Sequence, residues 1–192
     1  MDSIVTFRIT VCGIEELDGH CEAGVSHVLS ILDPDWPVPE AFGTYGEHAR
    51  LELRFHDVIE RQSPLTILPQ PEHVTEILAF GRHLASEPVA HAHLLVHCHA
   101  GVSRSTASMA LILAQARPDL PAERIFGEVT RIRPQAWPNL RIIRMGDDQL
   151  GRGGKLVEGA ADIYRMQLRR RPELAREFIA NGRGCEIELA RG

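Results

Sequence analysis

Residues 91–116 of the chain are HAHLLVHCHAGVSRSTASMALILAQA, and this stretch decides the fold. Its first part, residues 92–98, is a short apolar run typical of a central strand buried on both faces. Its last part, residues 105–116, is apolar nearly all round, which predicts a buried helix. The strand ends at Cys98 and the helix begins near Arg104, so the residues between them must form a tight loop.

Strand and helix patterns alternate on both sides of this stretch. Three earlier segments are rich in β-branched residues or alternate apolar and polar residues, which predicts strands over 3–11, 25–32 and 49–55. Prolines at first-turn positions open helices, and the predicted helices begin at Pro71, near Arg104, at Pro121, at Pro138 and at Lys155, the last broken at Pro172. This order indicates an α/β fold with a central, mostly parallel sheet flanked by helices. We expect one domain over 1–152 and a C-terminal helical extension, 153–192, packed on it.

Composition excludes several classes of protein. The net charge of the 192-residue chain is −5, so its overall electrostatics do not favour nucleic acid or anionic membranes as partners. No stretch approaches the roughly 20 apolar residues of a membrane span, and the N-terminus has no basic region before an apolar run. The four cysteines show neither metal-type pairing nor a dense disulfide pattern, so we expect a reduced, cytoplasmic setting.

The loop after Cys98 has the features of an anion site. Gly101 permits backbone angles that other residues resist, and successive N–H groups in such a loop form an anion-binding nest. The helix N-terminus adds partial positive charge. The planar guanidinium of Arg104 holds two phosphate oxygens at once. Together these features favour a tetrahedral dianion.

A thiol at the base of this nest is suited to nucleophilic catalysis. Helix N-termini and nearby cations favour the thiolate form of cysteine, so we expect Cys98 to be ionised at neutral pH. It would attack phosphorus and form a covalent thiophosphate intermediate. Ser105 is placed to donate a hydrogen bond to the sulfur as it leaves.

The stretch VHCHAGVSRS resembles the active-site motif of the cysteine-dependent protein tyrosine phosphatases, above all their dual-specificity branch. VSHVLSILDP resembles an early strand of that family, and RIRPQAWPN resembles its later loop, where Asn139 opens a helix beneath the active site. The resemblance covers about residues 3–150 and is strongest to a predicted bacterial group. It implies a phosphatase fold without metal or cofactor, and a structural His97 whose ring bonds the backbone near the cysteine. The implied phosphate-binding residues are His99, Ala100, Gly101, Val102, Ser103 and Arg104.

The family requires a general acid on a separate loop. Asp57, just past the third strand, is the best match and lies 41 positions before Cys98. That spacing is longer than in compact relatives because of the insertion over 60–72. Glu60 on the same loop is the second candidate, and weaker candidates are Asp33 and Asp35.

We therefore predict a phosphatase for phosphotyrosine proteins, with phosphoserine and phosphothreonine as further substrates. Two alternatives remain: a catalytically inactive phosphate-binding module, or a phosphatase for a phosphoinositide or an RNA end. The absence of lysine from the loop disfavours the lipid alternative. A third hypothesis is a zinc site, because clustered His and Cys bind zinc; its candidate ligands are His91, His93, His97, Cys98 and His99.

Overall fold

Four parallel strands form the centre of the protein, in the order β1-β4-β2-β3. The computed structural model describes residues 3–21 and 23–192. The strands are β1 (Arg8–Cys12), β2 (His27–Leu32), β3 (Ala49–Arg54) and β4 (His93–His97). The predicted fold class is confirmed, and every strand pair in this sheet is parallel.

The two central strands, β2 and β4, are buried along their whole length. This explains their nearly continuous apolar sequences, since helices and loops cover both faces of a parallel sheet. Their register pairs Ser30 with His97. The two side chains satisfy each other across the strands, with His97 Nε2 lying 2.8 Å from Ser30 Oγ.

β1 is shorter than the predicted strand over 3–11, because it begins only at Arg8. Its partner explains the difference. Arg8 pairs with His93, the first residue of β4, and residues 88–91 before that strand form a turn. Residues 3–7 therefore have no neighbouring strand to pair with.

Seven α-helices lie in the described part of the chain. They are α1 (Pro71–Ala85), α2 (Arg104–Ala116), α3 (Ala122–Ile132), α4 (Leu140–Gln149), α5 (Lys155–Arg170), α6 (Leu174–Ala180) and α7 (Gly184–Arg191). Two 3-10 segments, Ile14–His20 and Glu40–Gly43, were not predicted. α7 was also not predicted; the chain reaches it through Gly182, whose φ of +71° turns the backbone after α6.

The helices cover one face of the sheet and surround α2, which contacts α1, α3 and α4. Leu94 and Val96 of β4 face this main core, whereas Leu95 faces a smaller cluster with Val28 beneath the 3-10 segments. The C-terminal extension shares the main core, since Tyr164 and other buried side chains of α5 and α7 belong to it. None of the helices in 3–21 and 23–192 has the length and apolar character needed to cross a membrane.

Close packing of α2 on α4 depends on Gly146. A Cβ atom at this position would lie 2.2 Å from Leu111 Cδ2, and Leu111 is fully buried. We expect Gly146→Ala to destabilise the fold by about 1–3 kcal/mol, because Leu111 has no room to yield. Gly127→Ala is the matched control, since Gly127 also lies in a helix but a Cβ there meets nothing within 4 Å; it should stabilise by roughly 0.5–1 kcal/mol. Urea unfolding measures both, and equal effects would contradict this packing account.

Candidate active site

The loop 98–103 joins the end of β4 to the start of α2 and turns at Gly101. The φ of Gly101 is +67°. A Cβ atom there would lie 2.4 Å from the carbonyl carbon of Cys12 and 2.7 Å from the nitrogen of Gly13. Both the backbone angle and the close approach of β1 therefore require glycine at this position.

The carbonyl groups of residues 99–103 all accept hydrogen bonds from other parts of the protein. Arg133 holds two of them, with Nε 3.0 Å from Gly101 O and Nη2 3.0 Å from Ala100 O. Backbone N–H groups hold the other three: Ile14 donates to His99 (2.9 Å), Trp137 to Val102 (2.9 Å) and Asn139 to Ser103 (3.3 Å).

Carbonyl groups held outward leave the N–H groups of the loop facing its interior. Within the described residues, none of the N–H groups from 99 to 103 donates to a protein acceptor. A run of converging, unpaired N–H groups is an anion-binding nest, and the N-terminus of α2 adds to its positive potential. The loop predicted from the sequence to hold phosphate thus keeps its N–H groups free of protein acceptors in the described residues.

Cys98 begins the loop and is almost completely buried. Its side chain is 2% exposed, and its Sγ lies 3.2 Å from Ser105 Oγ. Ser105 lies in the first turn of α2 and is also buried. Its hydroxyl can donate to the sulfur when the sulfur carries negative charge, which is the geometry that the expected role of Ser105 needs.

Arg104 is buried, and its Nε is unpaired in the part of the chain that the structure describes. Its Nη1 donates to Asp33 Oδ1 at 2.7 Å and to the carbonyl of Phe55 at 2.6 Å. Its Nε has no hydrogen-bond partner among the described residues, although the side chain is only 3% exposed. An unsatisfied buried donor costs free energy, and an anion held by the loop would satisfy it.

Asp57 lies beside the loop and is held by three donors. Ser103 Oγ and Asn139 Nδ2 each lie 2.8 Å from Asp57 Oδ1, and Arg183 Nη1 lies 3.3 Å from Oδ2. Burial raises the pKa of Asp57, but the guanidinium groups of Arg183 and Arg104 outweigh it, and the hydrogen bonds help to lower the pKa below its usual range. Asp57 is therefore a carboxylate at neutral pH in this conformation.

Arg183 connects the C-terminal extension to this site. Besides Asp57, its Nη1 meets Ser103 Oγ at 3.0 Å, and its Nε and Nη2 donate to the Glu186 carboxylate at 2.8 and 2.7 Å. Glu186 is fully buried and also accepts from Trp137 Nε1 at 2.8 Å and from the N–H of Leu140 at 3.0 Å. One guanidinium thus balances two carboxylates.

Asn139 has two functions in the structure. It is the N-cap of α4, where its Oδ1 accepts from the N–H of Ile142 at 3.2 Å. Its Nδ2 donates to Asp57, as described above, and lies 3.3 Å from the carbonyl of Val58. The residue expected to open a helix beneath the site therefore also holds the candidate acid.

The two histidines flanking Cys98 are neutral at neutral pH. Burial lowers the pKa of His97 to about 4, although a hydrogen bond with the backbone of Cys98 acts in the opposite direction, and Nε2 of its ring is held by Ser30 of β2. Burial also lowers the pKa of His99, whose Nε2 accepts from the N–H of Asp33 at 3.2 Å. Neither ring adds positive charge to the loop, so Arg104 supplies the cation there.

The histidines over 91–99 do not converge on a common point. His93 lies on β4 with its ring 2.9 Å from Thr10 Oγ1 and 3.2 Å from the carbonyl of Ala23. His97 and His99 have the separate partners given above, and His91 is exposed before the strand. The side-chain arrangement therefore does not support the hypothesis of a zinc site in this cluster.

The other candidate acids occupy different surroundings. Asp33 reaches the site through its ion pair with Arg104. Asp35 is exposed, and Glu60 is exposed without a side-chain hydrogen bond in the described part of the chain. Asp57 is thus the carboxylate in contact with both the loop and α4.

Trp36 lies beside the loop 98–103. Trp36 is 45% exposed, and its ring centroid lies 4.4 Å from that of His99. Trp36, His99 and Ala100 line a cavity of about 510 Å³ together with residues 13–16. An exposed aromatic face therefore adjoins the candidate phosphate site.

Sequence reasoning missed Arg133, Arg183 and Glu186. Arg183 and Glu186 are single charged residues outside the recognised motifs, and nothing in their local pattern distinguishes them from solvated surface charges. Arg133 carried a weak signal, as did Trp137, because both lie in the quoted loop RIRPQAWPN. The roles of these side chains follow from the tertiary fold alone.

Comparisons with known proteins agree on the fold. Human DUSP28 has a TM-score of 0.56 at 18% identity, covering 75% of this chain and 92% of its own. A Cydia pomonella phosphatase, PTP-2, has a TM-score of 0.55 at 19% identity, with coverage of 73% and 84%. PTPMT1 in complex with PI(5)P has a TM-score of 0.53 at 14% identity, with coverage of 79% and 94%. No family model and no curated protein matches the sequence. The chain therefore has the fold of the protein tyrosine and dual-specificity phosphatases, as its sequence predicted.

The shared guanidinium of Arg183 is testable through stability. We expect Arg183→Met to lower the free energy of unfolding by about 3–5 kcal/mol, because it leaves the buried carboxylate of Glu186 without its cation. Arg183→Met combined with Glu186→Gln should lose less free energy of unfolding than Arg183→Met alone, because Glu186→Gln removes the uncompensated negative charge. Urea unfolding at pH 7 measures both. A double variant less stable than Arg183→Met would show that the Glu186 charge does not depend on Arg183.

Proposed function

We propose that this chain is a cysteine-dependent phosphatase of the protein tyrosine phosphatase superfamily that hydrolyses phosphotyrosine in proteins. The observation that carries the proposal is the loop 98–103 that begins at Cys98, because its N–H groups and the buried Nε of Arg104 have no protein partner among the described residues. This arrangement stabilises a phosphoryl group and its transition state at the nucleophile without reorganisation of the backbone. A binding module would need the anion site alone; Ser105 beside the sulfur favours an enzyme.

The first step transfers the phosphoryl group to the enzyme. The Cys98 thiolate forms an S–P bond while the P–O bond to the tyrosine oxygen breaks. The tyrosine oxygen takes a proton as it leaves, and Asp57 is the proposed donor. The loop N–H groups and the Arg104 fork hold the three equatorial oxygens throughout.

Asp57 must gain a proton before this step, because the free protein holds it as a carboxylate. A bound phosphate dianion favours this protonation. Its negative charges pair with Arg104 and raise the proton affinity of a nearby carboxylate. The second pKa of a phosphate monoester is about 6, so a substrate bound as the monoanion brings the required proton with it. The rate should accordingly be highest on the acidic side of neutrality.

The second step releases phosphate. Water attacks phosphorus, its proton passes to the Asp57 carboxylate left by the first step, and the S–P bond breaks. The electron pair returns to Cys98 Sγ, where the Ser105 hydroxyl at 3.2 Å donates to it. At the end of the cycle Cys98 is again a thiolate and Asp57 again carries a proton.

The side chains beside the loop 98–103 favour an aromatic phosphate ester in a protein as the substrate. The exposed ring of Trp36 beside His99 offers an apolar contact for a tyrosine ring. Glu15 lines the same cavity, where its charge disfavours a polyanionic inositol headgroup, whereas Glu16 is paired with Arg133. The sequence has a single lysine, Lys155, and it lies outside the loop.

The nucleophile is tested first. Cys98→Ser should abolish hydrolysis of a phosphotyrosine peptide and of an aryl phosphate, because a neutral hydroxyl replaces the thiolate. Inorganic phosphate should still bind in isothermal titration, since the N–H groups and Arg104 remain. Cys185→Ser is the matched control, as this cysteine lies in α7 outside the loop, and it should retain activity. Activity in Cys98→Ser would contradict the mechanism, and PI(5)P hydrolysis faster than peptide hydrolysis by the wild type would contradict the proposed substrate.

The general acid is tested by changing the leaving group. Asp57→Asn should slow hydrolysis of a phosphotyrosine peptide by roughly 10²–10⁴-fold, because the tyrosine oxygen, with a pKa near 10, needs a proton as it leaves. An aryl phosphate with an acidic phenol should be affected much less. The decline of the rate at high pH should also flatten in this variant. Equal slowing of both substrates would make Asp57 structural, and the same leaving-group dependence in Glu60→Gln instead would identify Glu60 as the acid.

A further inference from the structure

Three metal-binding side chains meet at the edge of the sheet opposite the candidate active site. His27, His83 and Glu87 each place one donor atom within 4.8 Å of the other two. Among the residues that the structure describes, this is the one group of three or more His, Cys, Asp or Glu donors at such spacing. Neither the phosphatase mechanism nor the sequence patterns account for it.

The fold brings these residues together. His27 is the first residue of β2, while His83 lies in the last turn of α1 and Glu87 follows shortly after it. α1 connects β3 to the parallel strand β4, so it must end at the edge where the strands begin. The catalytic loop lies at the other end, roughly 20 Å away for a six-residue strand. A ligand at this cluster is therefore separate from the active site.

The hydrogen bonds of Ser26 prepare His27 to act as a ligand. Ser26 Oγ accepts from the N–H of His93 at 3.0 Å and donates its single proton to the carbonyl of His93 at 3.2 Å. With the hydroxyl proton on the His93 carbonyl, Ser26 Oγ accepts from His27 Nδ1, 3.0 Å away. In this tautomer His27 Nε2 keeps its lone pair, directed at His83. Ring nitrogens of metal-bound histidines are commonly oriented by such a second hydrogen bond.

The distances allow a metal ion to replace the bond between the two rings. His27 Nε2 and His83 Nδ1 are 2.8 Å apart. Two zinc–nitrogen bonds of about 2.0–2.1 Å at a tetrahedral angle separate the nitrogens by about 3.3 Å. His27 is buried against Phe80 and cannot move far, but His83 is exposed and can withdraw by that difference. The proton on His83 Nδ1 would move to its Nε2 through solvent.

We propose that His27, His83 and Glu87 form a binding site for a divalent first-row transition ion such as Zn²⁺, which ties the start of β2 to the end of α1. Two imidazole nitrogens and one carboxylate are a zinc ligand set, with solvent at the fourth position. Mg²⁺ and Ca²⁺ prefer oxygen ligands and do not fit this set. The site is separate from the proposed phosphatase chemistry, because it lies away from the thiol and the anion-binding loop.

The test is zinc binding to the metal-free wild-type protein. Competition with a chromophoric chelator gives stoichiometry and Kd, and thermal unfolding gives a second readout. Zinc at about 100 times its Kd should raise Tm by roughly 5–10 °C. Co²⁺ should give the visible absorption of a tetrahedral site.

Substitutions identify the side chains that bind the zinc ion. His83→Ala should weaken zinc binding by roughly 100-fold or more, since loss of an orienting partner alone costs about 10–100-fold. Glu87→Gln should weaken binding, and Ser26→Ala should do so by about 10–100-fold. His91→Ala is the control, because this histidine is exposed and outside the cluster, and it should bind zinc as the wild type does.

Two results would overturn the proposal. One is His83→Ala binding zinc as tightly as wild type. The other is loss of the bound zinc in Cys98→Ser, which would place the ion on the catalytic thiol. Because the readouts are binding and stability, the outcome does not depend on the proposed phosphatase activity.

Discussion

The structure depends on how the carbonyl groups of the loop 98–103 are held outward. Carbonyl groups withdrawn from water need hydrogen-bond donors, and here the side chain of Arg133 and the N–H groups of Ile14, Trp137 and Asn139 supply them. Only with every carbonyl facing away can the N–H groups converge on one point. Gly101 makes the turn possible and lets the end of β1 pack directly on it. Nucleophile, anion cradle and helix N-terminus follow from this one constraint.

The C-terminal extension contributes charge as well as packing. Arg183 enters a buried region that already contains Asp57 and Glu186, and it is the cation that both carboxylates share. Without it, two negative charges would remain close to the loop that must accept an anion. The aromatic stack of Trp137 with Tyr164 and Phe178, at centroid distances of 4.7 and 4.1 Å, holds the extension in place. The charge state of the candidate acid therefore depends in part on Arg183, which lies more than a hundred positions away in the chain.

The parallel sheet separates two kinds of chemistry. At the carboxyl ends of the strands, loops converge and leave polar backbone groups free to bind an anion, the usual place for ligands in such sheets. At the opposite edge, the return of α1 toward β4 brings His83 and Glu87 to His27. The buried strands between the two edges are apolar apart from polar side chains that pair internally, such as Ser30 with His97.

The sequence by itself determined the central strand, the buried helix and the loop between them, because these are local patterns within 26 consecutive residues. It also determined the α/β class, from the order of strand and helix patterns along the rest of the chain. It also determined that Cys98, Gly101, Arg104 and Ser105 lie together, since they are adjacent in that loop. Only the tertiary structure decided where the insertion over 60–72 and the C-terminal extension would lie. Residues distant in sequence supply the charges around Asp57 and the hydrogen bonds of Arg133 to the loop carbonyl groups. The contact of His27 with His83 is likewise formed by residues distant in sequence. Such contacts leave no periodic or motif signal, because each partner is a single polar residue whose burial depends on the whole fold.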